Sequence, residues 1–231
     1  LDAGDAAYAT NSGRASKTTY LSYFSRLFYS YDNRYQLTAT VRRDGTSRFA
    51  KGNQWGTFPS VAVAWRLSEE SFWRPLKDVV NNFKLRLSYG EVGNSNVSAF
   101  AYQRMGTYVQ SIWGTSLQTA NIANPDLTWE TTRNLNVGID LELFSSLSVT
   151  VDAFWHKRSD IVSEKQNTSS WIIGAPFPYV NIGTVVNRGM EVSLMHQKRI
   201  NKVGYFVQAN VSLAKNKILA MDEVEGLKEY Q

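Results

Sequence analysis

From Asn134 to Ser159 the chain alternates between apolar and polar residues. Leu135, Val137, Ile139, Leu141 and Leu143 interleave with Asn134, Asn136, Gly138, Asp140 and Glu142. After a very short break, Leu147, Val149, Val151, Ala153 and Trp155 interleave with Ser148, Thr150, Asp152, Phe154 and His156. Side chains of a strand point alternately to opposite faces, so the pattern predicts a hairpin with one apolar face and one polar, partly charged face. A half-buried sheet in water gives the same alternation, so the hairpin alone leaves open which solvent meets the apolar face.

The same period recurs along the chain and predicts eight strands in all. Between Thr18 and Tyr31, Leu21, Tyr23, Leu27, Tyr29 and Tyr31 share one face, with Phe24 and Phe28 interrupting the polar one. Asp32-Asn33 signals a turn. The next strand, 34–43, sets Tyr35, Leu37, Ala39 and Val41 against Gln36, Thr38, Thr40 and Arg42. Val61, Val63, Trp65 and Leu67 mark the third, with Pro59 near its start, where a missing N–H is tolerated. Phe83, Leu85, Leu87 and Tyr89 mark the fourth, and the hairpin supplies two more. Met190, Val192 and Leu194 mark the seventh, and Tyr205 to Leu213 the eighth. Only 68–82 offers a short helical turn.

Connection lengths are uneven. Those at 32–33, 144–146 and 198–202 are short and 68–82 is intermediate, whereas 44–54, 90–128 and 161–187 read as loops, the last two long. Antiparallel neighbours place alternate connections at opposite ends, so nearly all the loop length falls at one end. Outer-membrane barrels have this arrangement, with short periplasmic turns and long extracellular loops. Aromatic residues (Tyr29, Tyr31, Tyr35, Trp65, Phe83, Tyr89, Trp129, Trp155 and Tyr205) gather at or near strand ends, as interfacial girdles do. Ordinary β-propensity of aromatics gives part of the same signal.

Composition narrows the function classes. Aromatics are 13% of the 231 residues and charged residues 19%, fewer than in an ordinary soluble protein. The net charge of +5 is spread without a basic block, so nucleic acid is not expected as a partner. Without cysteine there is no disulfide scaffold, thiolate metal site or cysteine nucleophile. No apolar run is long enough for a membrane helix, which leaves strands of about ten residues as the route through a bilayer. The opening residues do not read as a signal peptide, which fits either a mature chain or an internal piece of a longer one. His156 and His196 lie on separate predicted strands with no companion ligand, and no nucleotide, hydrolase or zinc motif is present. Neither enzyme activity, a metal nor a cofactor is expected.

Six segments in order resemble one family, the SusC/RagA type of TonB-dependent outer-membrane transporter. They are YSYDNRYQLTATVRRDGTSRF (29–49), WGTFPSVAVAWRLSEESF (55–72), NFKLRLSYGEVGN (82–94), NPDLTWETTRNLNVGIDLEL (124–143), FWHKRSDIV (154–162) and NIGTVVNRGMEVSL (181–194). The resemblance implies an all-β fold: about eight antiparallel transmembrane strands of a larger barrel of twenty-two. Residues 1–231 would all belong to that barrel domain, with the plug domain and the barrel's C-terminal end lacking a counterpart. It further implies multi-pass residence in outer-membrane lipid, a SusD-like lipoprotein lid, the TonB complex as energy source, and import of an oligosaccharide or peptide.

Two sets of residues are candidates for contact. The polar strand positions Arg42, Lys84, Arg86, Asn134, Asn136, Asp140, Glu142, Asp152, Glu191, Gln208 and Asn210 would line a barrel's interior, meeting a plug, a polar solute or water. The loop aromatics Tyr102, Tyr108, Trp113, Trp129, Trp171, Phe177 and Tyr179 would stack on sugar rings or apolar side chains, seat a lid, or pack the loops. A second reading uses the same loops in a soluble, secreted β-sheet binding or adhesin domain. The apolar face of 135–143 separates the two, because only a soluble domain must cover it.

Overall fold

The computed structural model of the chain describes residues 15–165 and 177–222. Ten strands form among the described residues: β1 (Tyr20–Tyr31), β2 (Tyr35–Thr46), β3 (Trp55–Arg66), β4 (Val80–Asn94), β5 (Met105–Ser111), β6 (Gly114–Asn121), β7 (Glu130–Leu143), β8 (Leu147–Glu164), β9 (Tyr179–Ile200) and β10 (Val203–Ala220). Eight of them make one antiparallel sheet in the order β1-β2-β3-β4-β7-β8-β9-β10, and β5 and β6 pair only with each other. The eight expected strands are therefore the eight of the main sheet.

The register turns the alternation into continuous bands. Tyr35, Trp65, Leu85, Ile139, Val151, Val192 and Val211 are successive cross-strand partners from β2 to β10. Leu37, Val63, Leu87, Val137, Ala153, Met190 and Leu213 form the adjoining row. Because the side-chain period is two, this register puts every such residue on one face. Among the described residues no second layer covers that face: Val137, in its middle, is 48% exposed and Val63 is 42% exposed. A soluble sandwich buries this face against another sheet.

Three tight turns close one end of the sheet. Asp32 and Asn33 both take positive φ, at 47° and 54°, as do Phe144 and Ser145, at 53° and 52°. Two consecutive left-handed residues make the turn whose twist matches the flanking strands. The connection from β3 to β4 also lies at this end and supplies two short 3-10 turns, Leu67–Glu69 and Ser71–Leu76, the first taking in Leu67, which the alternation places on the third strand.

At the other end the expectations need correction. The stretch 90–128, expected as loop, holds the end of β4 and the whole β5–β6 hairpin. Of the expected loop 161–187, both ends are strand, so the connection from β8 to β9 shortens to 165–178. The seventh strand, expected around 190–194, runs over 22 residues. Alternation is legible only where one face is apolar, and the added strand segments are polar or mixed on both faces.

The buried core is small and lies at this end. Phe49, Phe58, Val97, Ala101, Leu127 and Trp129 are the buried hydrophobic residues among those described. Trp129 packs against Phe49 and Phe58 with ring centroids 5.6 and 5.4 Å away. Phe58 is the cross-strand partner of Arg42, so this core is built on the polar face and roofed by connecting segments. A β-carbon at Gly93 would stand 1.9 Å from the Phe58 ring, so the ring lies directly on the β4 backbone.

Candidate functional site: the polar face and the loop end

All eleven polar strand candidates fall on one face. The row Gln36, Ala64, Arg86, Gly138, Asp152, Glu191 and Ser212 crosses the sheet. A second row carries Lys84, Asp140, Thr150, Ser193 and Asn210. Asn136, Asn134, Glu142, Gln208 and Arg42 occupy further positions of the same parity.

At the centre of this face Arg86 reaches across two strands. Its Nε and Nη2 donate to the two oxygens of Asp140 at 2.8 and 2.9 Å, and Nη2 also donates to Asp152 Oδ2 at 3.0 Å. Two parallel bonds to one carboxylate fix a guanidinium more firmly than a point contact does. Asn136 Nδ2 donates to the remaining Asp152 oxygen at 3.2 Å. The bridge depends on Gly138, Arg86's direct partner on β7: a β-carbon there would lie 2.7 Å from Arg86 Cζ and 2.5 Å from Asp152 Oδ1. Arg86 balances one of its two carboxylates, and Glu191 stands directly opposite Asp152 on β9. Lys84 stands directly opposite Asp140 on β4, so the centre of the polar face carries both signs of charge. Arg42 pairs with Asp44 at 2.7 Å, and Asn210 accepts from Ser193 at 2.7 Å.

The loop aromatics separate into groups. Tyr108 and Trp113 belong to the β5–β6 hairpin and are 79% and 91% exposed. Tyr179, at the start of β9, is exposed, whereas Tyr102 and Phe177 are half-buried. Trp129 is only 7% exposed, and its Nε1–H donates to the Gln54 carbonyl at 3.2 Å. Its ring therefore holds the connections together and offers no open face for a ligand. Trp171 lies outside the described residues.

Sequence reasoning missed the polar knot beside this core. Glu130, 6% exposed, accepts hydrogen bonds from Asn94 Nδ2 at 2.6 Å and the Val162 amide at 3.0 Å, and it pairs closely with Arg158. Arg48 donates to the carbonyls of Ser95 and Val97 at 3.2 and 3.0 Å. These bonds tie the β2–β3 connection and the β8 end to the segments flanking the hairpin. Only the parity of Glu130 with Asn134 and Asn136 hinted that it faces inward; its partners are distant in sequence.

At the turn end Tyr31, Tyr35 and Trp65 stack at 6.4 and 6.3 Å. The Tyr35 hydroxyl and Trp65 indole donate to Glu70 Oε1 at 2.6 and 3.0 Å. The Tyr35 hydroxyl and then the Trp65 indole hold the Glu70 carboxyl below its ordinary range. Among the described residues no helix is long and apolar enough to cross a membrane, and no three metal-ligating side chains gather.

Comparison with known proteins gives a consistent answer. The family described as "TonB dependent receptor-like, beta-barrel" matches residues 1–222. The TonB-dependent receptor P39 of Formosa agariphila is 35% identical over 231 residues, 96% of this chain and 22% of that one. The TonB-dependent receptor SusC of Bacteroides thetaiotaomicron is 34% identical over 86% of this chain and 20% of its own length. Among solved structures, the RagAB peptide importer in its closed-closed state superposes with a TM-score of 0.81 at 27% identity, over 93% of this chain and 23% of that one. The chain thus spans about a fifth of the length of the curated relatives it matches.

Proposed function

The chain belongs to the TonB-dependent receptor-like β-barrel family, an outer-membrane family, and from that premise we propose that its sheet is wall of a nutrient importer. The apolar face meets lipid and the polar face lines the interior. The tight turns lie in the periplasm and the β5–β6 hairpin and its neighbours outside the cell. The solute is one too large for passive diffusion, an oligosaccharide or a peptide. A SusD-like lipoprotein captures it with the loops, and the TonB complex supplies the energy.

One observation carries this reading: an eight-stranded sheet with a continuous uncovered apolar face and a hydrogen-bonded, charged opposite face. Lipid is the solvent that makes such an arrangement favourable. The RagAB neighbour is a peptide importer, which supports the peptide as substrate class. Exposed Tyr108 and Trp113 supply rings of the kind that sugar faces and apolar side chains both accept. Among the described residues the soluble adhesin reading finds no second layer to hide its apolar residues.

The test is envelope fractionation of cells expressing the full-length gene, with gel migration before and after boiling. Uptake of labelled peptide and oligosaccharide mixtures by wild-type and deletion strains completes it. A heat-modifiable outer-membrane band, a co-purifying lipoprotein and uptake lost for one mixture are expected. A soluble, heat-indifferent protein refutes the barrel. Undiminished uptake of both mixtures refutes the importer.

A further inference from the structure

The apolar face does not end the same way at its two ends. Toward the loop end its last apolar positions give way to Arg133 on β7, Lys157 on β8, Arg188 on β9, and Lys215 and Lys217 on β10. The register makes these five a patch. Arg133, Lys157, Val186 and Lys217 are successive partners in one row, and Leu135, Trp155, Arg188 and Lys215 in the next. Their parity is that of Val137 and Val151, so all five stand on the apolar face. The boundary between apolar and basic steps by one row between β8 and β9. Strands of a barrel tilt, so a line at constant height crosses register rows in this manner.

The patch is nearly uncompensated. Arg133 pairs with Glu91 at 3.0 Å. Lys157, Arg188, Lys215 and Lys217 have no carboxylate within ion-pair distance among the described residues. At the turn end of the same face, by contrast, the strands carry Lys198. Four adjacent strands that concentrate like charge pay repulsion unless an anion is shared among them. Trp155 lies within the patch, and indole rings favour the boundary between acyl chains and headgroups. Long basic side chains reach from that depth to charged groups at the surface.

We propose that this patch is a binding site for the phosphate groups of outer-leaflet lipid. Its five cations grip phosphate oxygens while Trp155 and the apolar rows below hold the acyl chains. The proposal rests on the barrel reading above and adds a specific lipid site to it. Charge decides the occupant: zwitterionic or neutral headgroups do not compensate four cations that have no carboxylate partner among the described residues.

The test uses the full-length protein that contains this chain, purified in neutral detergent. Native mass spectrometry counts bound phosphorylated lipid A against its enzymatically dephosphorylated form. Wild type is expected to retain the phosphorylated form preferentially. The R188Q/K215Q/K217Q variant is expected to lose that preference by about fivefold per charge removed. If the triple variant fails to assemble, Lys217→Gln alone and the charge-preserving Lys215→Arg provide the comparison, the first weakened and the second unchanged. Equal retention of both lipid forms, or undiminished preference in the neutralised variants, overturns the proposal. Displacement of the lipid by millimolar inorganic phosphate makes this a site for free phosphate and overturns the headgroup assignment. Dissociation of a wild-type oligomer in the variant, with no change in lipid, makes the patch a contact between copies and overturns it too. A protein that inserts and imports normally but shows no phosphate preference refutes this site alone. A protein that never inserts refutes the barrel reading beneath it.

Discussion

Replacing Ile139 by arginine tests the orientation of the sheet most directly. Ile139 lies in the row from Tyr35 to Val211, with two outward apolar residues on either side of it along β7. A strand rises about 3.3 Å per residue, so Leu135 and Leu143 stand about 13 Å from it along the strand. With a tilt of about 40° that is roughly 10 Å in depth, in an apolar band about 25 Å tall. Ile139 is thus near the midplane and Leu143 near an interface. Arginine is expected to cost about 2–4 kcal/mol at position 139 and about 0–1 kcal/mol at 143. The difference is roughly one to three powers of ten in the folding equilibrium. Thr150→Arg, on the polar face beside Asp140, is the orientation control and is expected to cost little. Urea titration of the full-length protein in phospholipid vesicles, scored by heat-modifiable migration, gives the three values. Equal costs at 139 and 143, or a larger cost at 150, refute the reasoning.

Two further outcomes follow from local geometry. Gly138→Ala brings a β-carbon against Arg86 and Asp152, and overpacking of this kind costs about 1–3 kcal/mol. Combining it with Arg86→Ala removes the clashing guanidinium, so the double variant is expected to cost less than the sum of the singles; additivity in a double-mutant cycle would show that Arg86 does not lie over Gly138. Glu70, whose carboxyl is held below the ordinary value by Tyr35 and Trp65, stabilises the turn end at pH above about 4.5. That contribution disappears as pH falls through the lowered folded value, so wild type and Glu70→Gln should converge in thermal stability as the pH drops below it. A gap between them that widens on acidification would contradict this sign.

The strands of the main sheet were legible because a one-sided apolar face stamps a period of two on the sequence, and Val137 or Val151 can be assigned from its neighbours alone. Turn chemistry at Asp32-Asn33 and the imbalance of connection lengths were equally local. The β5–β6 hairpin was not legible: Tyr108 and Leu117 are exposed, and nothing apolar repeats across it to betray a face. Nor did aromatic identity distinguish Trp113, which projects into water, from Trp129, which Phe49 and Phe58 enclose.

Sequence alone therefore determined the all-β character of the fold, the parity of each strand and the division into an apolar and a polar face, since these depend on residues two positions apart. Only the tertiary structure decided the pairings. It brought Arg86 to Asp140 and Asp152, 54 and 66 residues away, and Glu130 to Asn94 and Arg158. It also gathered Arg133, Lys157, Arg188, Lys215 and Lys217 from four strands into one patch. The register between strands sets which charges meet, and register is a property of the whole sheet that no single strand carries.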